Sequence, residues 1–326
     1  MMNSKNDTGI QRISRVSERT LTIAATLVLP LFLVGCLSQV HKQAMTLASA
    51  TAPVLQNVGQ AYQTAESIHE LWEDYDAPYS FDQPSPAYNP RNIAPLLTDK
   101  DIQARTAVLT AFQAYVQSVV DITDGVSSPA LDSAAQSAGN GISSVATTLA
   151  PSIEGLASTT SASSPITPEV TNGISTAANA LGQFLVSRKI KKELPAIIVS
   201  MDPSVQSLCK LLEVDLDVIQ AQEKRDYDQI INRQTLFIKT ATLDPGERRQ
   251  EIMKLPQIVR REQADSVQLL ALKVSIERLA LTHHGLAAEA QGNNPESISA
   301  KIAELAAAGS NLGTYYSSLP TAAPTQ

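Results

Sequence analysis

The chain has 326 residues, of which 17% are charged, and a formal net charge of −7. An acidic balance excludes nucleic acid as the principal ligand, since that binding rests on phosphate neutralisation by Lys and Arg. Aromatic residues make up 4% and there are two cysteines, so the expected core is built from aliphatic stripes with small residues between them, and no disulfide framework is available.

Residues 1–35 read as a leader. Lys5, Arg12, Arg15 and Arg19 precede an apolar run from Leu21 to Gly35, and the run closes on Leu33-Val34-Gly35-Cys36. A positive lead-in, an apolar stretch and small residues ahead of a cut site make an export signal. With cysteine at the end of that site, the motif resembles the lipobox of bacterial lipoprotein precursors. The resemblance covers about the first 37 residues. It implies cleavage before Cys36, a thioether-linked diacylglycerol on its sulfur, and acylation (palmitate) of its new amino group. An uncleaved span is disfavoured, because roughly 15 apolar residues fall short of the roughly 20 that cross a hydrocarbon core, and Pro30 interrupts them. One acyl chain holds a protein only reversibly, at about 0.8 kcal/mol per buried methylene, whereas several on one residue anchor it durably. Leu37 stands where an Asp commonly retains Gram-negative lipoproteins in the inner membrane. It therefore points to the outer membrane, facing the periplasm. Past the leader the net charge moves to about −9 and Cys209 is the remaining thiol. Its neighbours Val205, Leu208, Leu212 and Leu216 favour burial as a small hydrophobe.

A first helix is expected over 36–75, with an apolar stripe at Val54, Val58, Ala61, Ala65, Ile68, Trp72 and Tyr75 stepping by three and four. Pro53 is a candidate kink. Residues 76–96 hold Pro78, Pro84, Pro86, Pro90 and Pro95 among Tyr79, Phe81 and Tyr88, which predicts an irregular connection: a strap across the bundle, or a docking loop.

Over 97–194 Thr98 is the expected cap of a second helix, with Asp99 and Asp101 in its first turn. Its apolar face is Ile102, Leu109, Phe112, Val116, Val119 and Ile122. The spacing of Ala135, Ala138, Ile142, Val145, Leu149, Ile153 and Leu156 then resembles a coiled-coil seam. Val170, Ile174, Ala177, Leu181 and Phe184 repeat it, predicting an antiparallel hairpin with its tip near 158–168. Between Arg105 and Arg188 there is no Lys or Arg, and about 36 of the 58 residues in 125–182 are Gly, Ala, Ser or Thr. Uncharged faces of that kind suit close helix packing, an oligomer surface, or contact with a bilayer. The basic group Arg188, Lys189, Lys191 and Lys192 follows. It complements a helix C-terminus, or clamps anionic headgroups at about 1 kcal/mol per cation.

Over 195–319, Pro195 and Pro203 are expected to punctuate the chain before a long helix through Leu208, Leu212, Leu216, Ile219, Ile230 and Phe237. Asp244-Pro245-Gly246-Glu247 is a start signal, with Asp as N-cap, Pro at N1 and Glu at N3. The next helix carries Ile252, Val259, Val267, Leu270, Val274 and Leu281. It is apolar on several faces between Leu269 and Leu281, which predicts a central position. Asn294-Pro295-Glu296 starts a last helix with Ile298, Ile302 and Leu305, and 320–326 is a tail. The expected fold is all-α, a bundle of long antiparallel helices with a coiled-coil-like hairpin in the middle.

Catalytic constellations are missing from the sequence. Gly-x-Ser-x-Gly and Gly-rich phosphate loops do not occur. Glu66 and His69 have the three-residue spacing of carboxylate-bridged metal bundles, but those use it twice. Glu213, Asp215 and Asp217 spread around their helix, so pairing with neighbouring cations is their ordinary use. The reading that results is a lipid-anchored, non-catalytic binding or scaffolding module without a cofactor. It has a protein partner in the envelope and the option of a homo-oligomer. A membrane-active hairpin and a metal-binding bundle are the alternatives.

Overall fold

The computed structural model of the protein describes residues 11–82, 89, 91, 93–124, 133, 135–141, 149–160, 168–186, 194–292 and 298–319, with side chains from Val40 onward except at 123–124, 150, 159–160, 168–175, 186 and 298–299. Among them are eight helices and no strand. They are α1 (Gln11–Phe81), α2 (Asp99–Asp124), a short α3 (135–141), α4 (Leu149–Thr160), α5 (Pro168–Val186), α6 (Leu194–Thr240), α7 (Pro245–Ala290) and α8 (Ile298–Ser318). The fold is an all-α bundle.

Its spine is the pair α6 and α7, joined by a short turn whose chemistry is local. Asp244 accepts from the Glu247 amide at 2.8 Å, Glu247 answers from its own side chain at 3.1 Å, and Pro245 fills the first helical position. Contacts along the pair step in opposite directions: Gln206 reaches the Ala280 carbonyl, Gln220 reaches Ser266 and Gln234 reaches Glu251. The two helices are therefore antiparallel. α1 lies beside α6 in the same direction, since Tyr62, His69 and Tyr79 meet Asp215, Asp226 and Arg233 in order. One apolar core runs through α1 to α8, and a smaller cluster of Ile68, Tyr227 and Ile230 closes the end near Trp72. The described helices thus share one core, and α6 runs unbroken through Pro195 and Pro203.

Several boundaries differ from expectation. α1 runs to Phe81 rather than Tyr75, through Pro78. Arg233 of α6 holds that extra turn: its guanidinium lies 4.8 Å from the Tyr79 ring and 5.7 Å from Trp72 and pairs with Asp76, while Tyr79 donates to the Arg233 carbonyl at 3.1 Å. Pro53 does not end α1, and Pro195 and Pro203 lie inside α6 instead of preceding it. Pro195 sits in the first turn, where a helix has no use for the missing N–H. Pro203 lies between buried Asp202 and Ser204, whose packing offsets the lost bond.

The two arms of the expected hairpin behave differently from a coiled coil. Ala135, Ala138, Leu149, Ile153 and Leu156 are buried, as are Ala177 and Leu181, and Phe184 is half-buried, so these positions face the core as expected, while the side chains of Val170 and Ile174 lie outside those described. Among the described residues, however, α4 and α5 pack on α2 and α6 rather than on each other. Ile142, Val145 and most of the tip lie outside the described residues. α8 crosses α1 closely at Gly309, where an added Cβ would stand 3.1 Å from Pro53.

Candidate interaction face and buried polar networks

The sequence placed the packing stripe of α7 on the wrong side. Val267, Leu270, Val274 and Leu281 are 61, 55, 37 and 55% exposed, and Ile252 is exposed as well. The buried face is instead Leu269, Leu272, Ile276, Leu279, His283 and Leu286. At 100° per residue the four exposed residues fall within a narrow arc opposite that core face. α7 is apolar on two sides because only one side faces its own bundle. It lies at the surface and not at the centre.

Inside, carboxylates organise three polar networks. Arg105, 1% exposed, meets Asp215 with both prongs, at 2.9 and 2.6 Å. Tyr62 donates to the same carboxylate at 2.8 Å, and Arg105 also donates to Ser152 at 2.8 Å. Burial would lower the pKa of Arg105, but Asp215 more than offsets it, and the guanidinium is held above its ordinary value. Four helices (α1, α2, α4 and α6) meet at this point.

The second network is a chain from solvent to interior. His284 contacts one oxygen of Asp202 at 2.7 Å and His283 the other at 2.9 Å, each through Nδ1. His283 Nε2 faces the Tyr115 hydroxyl at 2.7 Å. With its proton on Nδ1 the ring donates to Asp202 and accepts from Tyr115. Burial works against the Asp202 charge, yet the two imidazoles more than compensate and lower its pKa. The order Asp, His, hydroxyl has the connectivity of a nucleophilic triad. The cavity beside Tyr115, also lined by Phe112, Ile198 and Leu279, holds about 20 Å³, room for about one water.

In the third network Asp265 accepts from Tyr227 of α6 and Tyr315 of α8. Burial and Asp265 raise the pKa of both phenols. Beside it Glu223 is buried with its Oε1 lacking a hydrogen-bond partner among the described residues. Desolvation, then the charges of Asp265 and Asp226, push its carboxyl well above the usual range.

Glu66 and His69, the pair with metal-like spacing, serve a strap. Both oxygens of Glu66 accept backbone amides, from Leu96 at 3.1 Å and Leu97 at 3.0 Å. His69 spans Asp226 at 3.1 Å and the Ala94 carbonyl at 3.2 Å. Both ring nitrogens face acceptors, an arrangement that suits the imidazolium. Its hydrogen bond to Asp226 raises its pKa. The Pro-rich connection is thereby fastened at its C-terminal end. Among the described residues no group of three or more His, Cys, Asp or Glu side chains converges on a metal position. The spread carboxylates find separate cations, Glu213 with Lys210 and Asp217 with Lys273.

Two open grooves share Leu55, Gln56, Thr110 and Gln113 between α1 and α2, of about 450 and 650 Å³. Their polar lining is mostly neutral, with Glu66 and Glu70 at one end. Cys209 is fully buried, and burial pushes its thiol pKa up. Leu33, Val34, Gly35 and Cys36 stand on the backbone of α1 ahead of the described side chains. Arg188, Lys189, Lys191 and Lys192 and the tail 320–326 lie outside the described residues. Among those described, no helix is long and apolar enough to cross a membrane. Sequence reasoning missed Arg105 and the Asp202 chain. Arg105 falls in phase with Val108, Phe112, Tyr115 and Val119, and a cation on that phase was the available signal. No protein-family model matches this chain, and no curated protein or solved structure matches it.

Proposed function

We propose that this chain is a lipid-anchored cell-envelope protein that acts as a non-catalytic binding or scaffolding module. The anchor is the acylated Cys36, and Leu37 favours the outer membrane, facing the periplasm. The observation that carries the binding role is the bare apolar stripe of α7. Four exposed aliphatic side chains in one arc gain nothing from their own bundle, and aligned exposed apolar surface marks an interaction site. Two features support this reading: the buried networks tie helices together, and among the described residues the triad-like chain of Asp202, His283 and Tyr115 opens onto a cavity of about 20 Å³. The basic group at 188–192 is a second contact with anionic headgroups in this reading.

A photo-reactive residue at Val274, in the full-length chain in intact cells, tests the binding role. Cross-linked species should form from Val274 and be missing when the probe replaces exposed Lys254. Equal cross-linking from both positions, or none from any stripe position, would sink the proposal. Cys36→Ser separately tests the anchor, with loss of acyl-chain labelling and of membrane sedimentation as the expected result.

A further inference from the structure

The exposed face of α7 extends beyond the four aliphatic residues. From Met253 to His284 exposed positions recur in alternating steps of three and four, the a and d spacing of a coiled coil. In an antiparallel pair of identical helices each a position faces a d position, and a two-fold axis makes the contacts reciprocal. Placing that axis between Gln268 and Leu269 sets Val267 opposite Leu270 of the second copy, twice, at the centre. One layer further out Val274 meets Gln263. The next layer sets Arg260 against Glu277, again on both sides. Leu281 then covers Pro256. The opposite charges fall in register without adjustment, and neither Arg260 nor Glu277 pairs with another described residue of its own chain.

We infer that α7 pairs antiparallel with α7 of a second copy of this chain, with Arg260 and Glu277 as reciprocal ion pairs flanking a Val267–Leu270 centre. This deepens the binding role proposed above by naming one partner, but the pairing itself does not depend on the anchor. A contact strip about 10 Å wide, the diameter of a helix, and roughly 40 Å long buries roughly 400 Å² per copy. That lies below the roughly 800 Å² per partner of a stable interface, so the dimer is weak in solution. Copies confined to one membrane surface by lipid gain effective concentration, which converts a weak contact into an occupied one.

The experiment is a charge-reversal cycle on the full-length lipoprotein in detergent, read by sedimentation velocity over a concentration series. Arg260→Glu sets like charges in two symmetric layers and should weaken self-association about 10-fold or more; Glu277→Arg should do the same. The double variant restores opposite charges and should return to within about 3-fold of wild type. Both positions are exposed, and helical content and melting temperature confirm that the fold is kept. In a second measurement, a Val267→Cys chain mixed with a Leu270→Cys chain should oxidise to the mixed disulfide in excess over either homodisulfide. A wild-type monomer at every concentration overturns the inference. So do dimers indifferent to charge reversal, which report shared micelles, and a double variant that is not restored. A chain that fails this cycle yet cross-links another envelope protein from Val274 overturns self-pairing and leaves the binding role standing.

Discussion

The buried Arg105–Asp215 pair offers the sharpest test of the architecture. Replacing Arg105 by Met leaves the Asp215 carboxylate buried with the Tyr62 hydroxyl as its donor. Removing one partner of a buried ion pair costs about 3–5 kcal/mol, because the other charge stays desolvated. Asp215→Leu strands the guanidinium of Arg105 between Tyr62 and Ser152 and belongs to the same range. The double variant Arg105→Met with Asp215→Leu leaves no charge, and apolar replacements of buried pairs are often neutral. It still orphans the Tyr62 hydroxyl, at about 1–3 kcal/mol, so adding Tyr62→Phe should recover most of the loss. The assay is urea unfolding followed by circular dichroism. With a slope of about 3 kcal/mol per molar urea, at the upper end of the usual range, a single variant moves the midpoint down by about 1 M or more. The triple variant should return to within about 0.5 M of wild type on the same slope. Singles costing less than about 1 kcal/mol would mean a solvated pair. Strictly additive losses would mean that the two residues do not act on each other.

Three further outcomes follow from Glu223, the strap and the α1–α8 crossing. Glu223 binds its proton more tightly in the folded state, so stability should fall as pH rises above its unfolded value of 4.5; Glu223→Gln should be about 1–3 kcal/mol more stable at pH 8 and equal to wild type at pH 4, and parallel curves would refute the assignment. The raised pKa of His69 means that its contribution is complete below about 6.5 and is lost as pH rises through the folded value. Protection of the Leu96 and Leu97 amides from hydrogen exchange, corrected for intrinsic rates, should drop over that window in wild type and stay flat in His69→Asn. Gly313→Ala, whose new methyl meets ordinary space 3.6 Å from Asn57, should gain up to about 1 kcal/mol of helix propensity. Gly309→Ala, pressed against Pro53, should gain nothing or lose, by overpacking of about 1–3 kcal/mol; thermal melts that rank the two the other way would disprove the close crossing.

What could be read from the sequence was what depends on neighbours in the chain. Asp244, Pro245 and Glu247 form their cap from within four residues, and Thr98 and Asp101 do the same for α2. The buried stripe of α1 from Val54 to Ile68 was legible because its other faces are polar. Pro78 looked like a breaker because the compensating group, Arg233, is more than 150 residues away. Separations of 81 and 168 residues hid the Asp202–His283–Tyr115 chain, whose members come from α6, α7 and α2. α7 failed for a different reason. Two apolar stripes on one helix give two equally good periodic patterns, and periodicity carries no label for which one meets its own chain.

That ambiguity becomes informative once the inner face is fixed. α6 supplies an anchoring side chain at intervals along its length: Asp202, Asp215, Asp226 and Tyr227, each held by a residue of another helix. Two of these stations, Asp202 with His283 and Tyr227 with Asp265, tie α7 itself. Sliding α7 by one turn, about 5.4 Å, would break both together, taking the two phenols from Asp265 and leaving Asp202 with Gln206 in place of two imidazoles, each at about 1–3 kcal/mol or more. Aliphatic packing alone, in a core with so many alanines, resists such a slip far less. The register of α7 is therefore set from behind by polar groups, and with it the height of every residue on its outer face. A partner that reads Val267, Leu270, Val274 and Leu281 meets a row whose spacing is held by Asp202 and Asp265. Substitutions at those two buried carboxylates should weaken binding at the surface even though neither touches it.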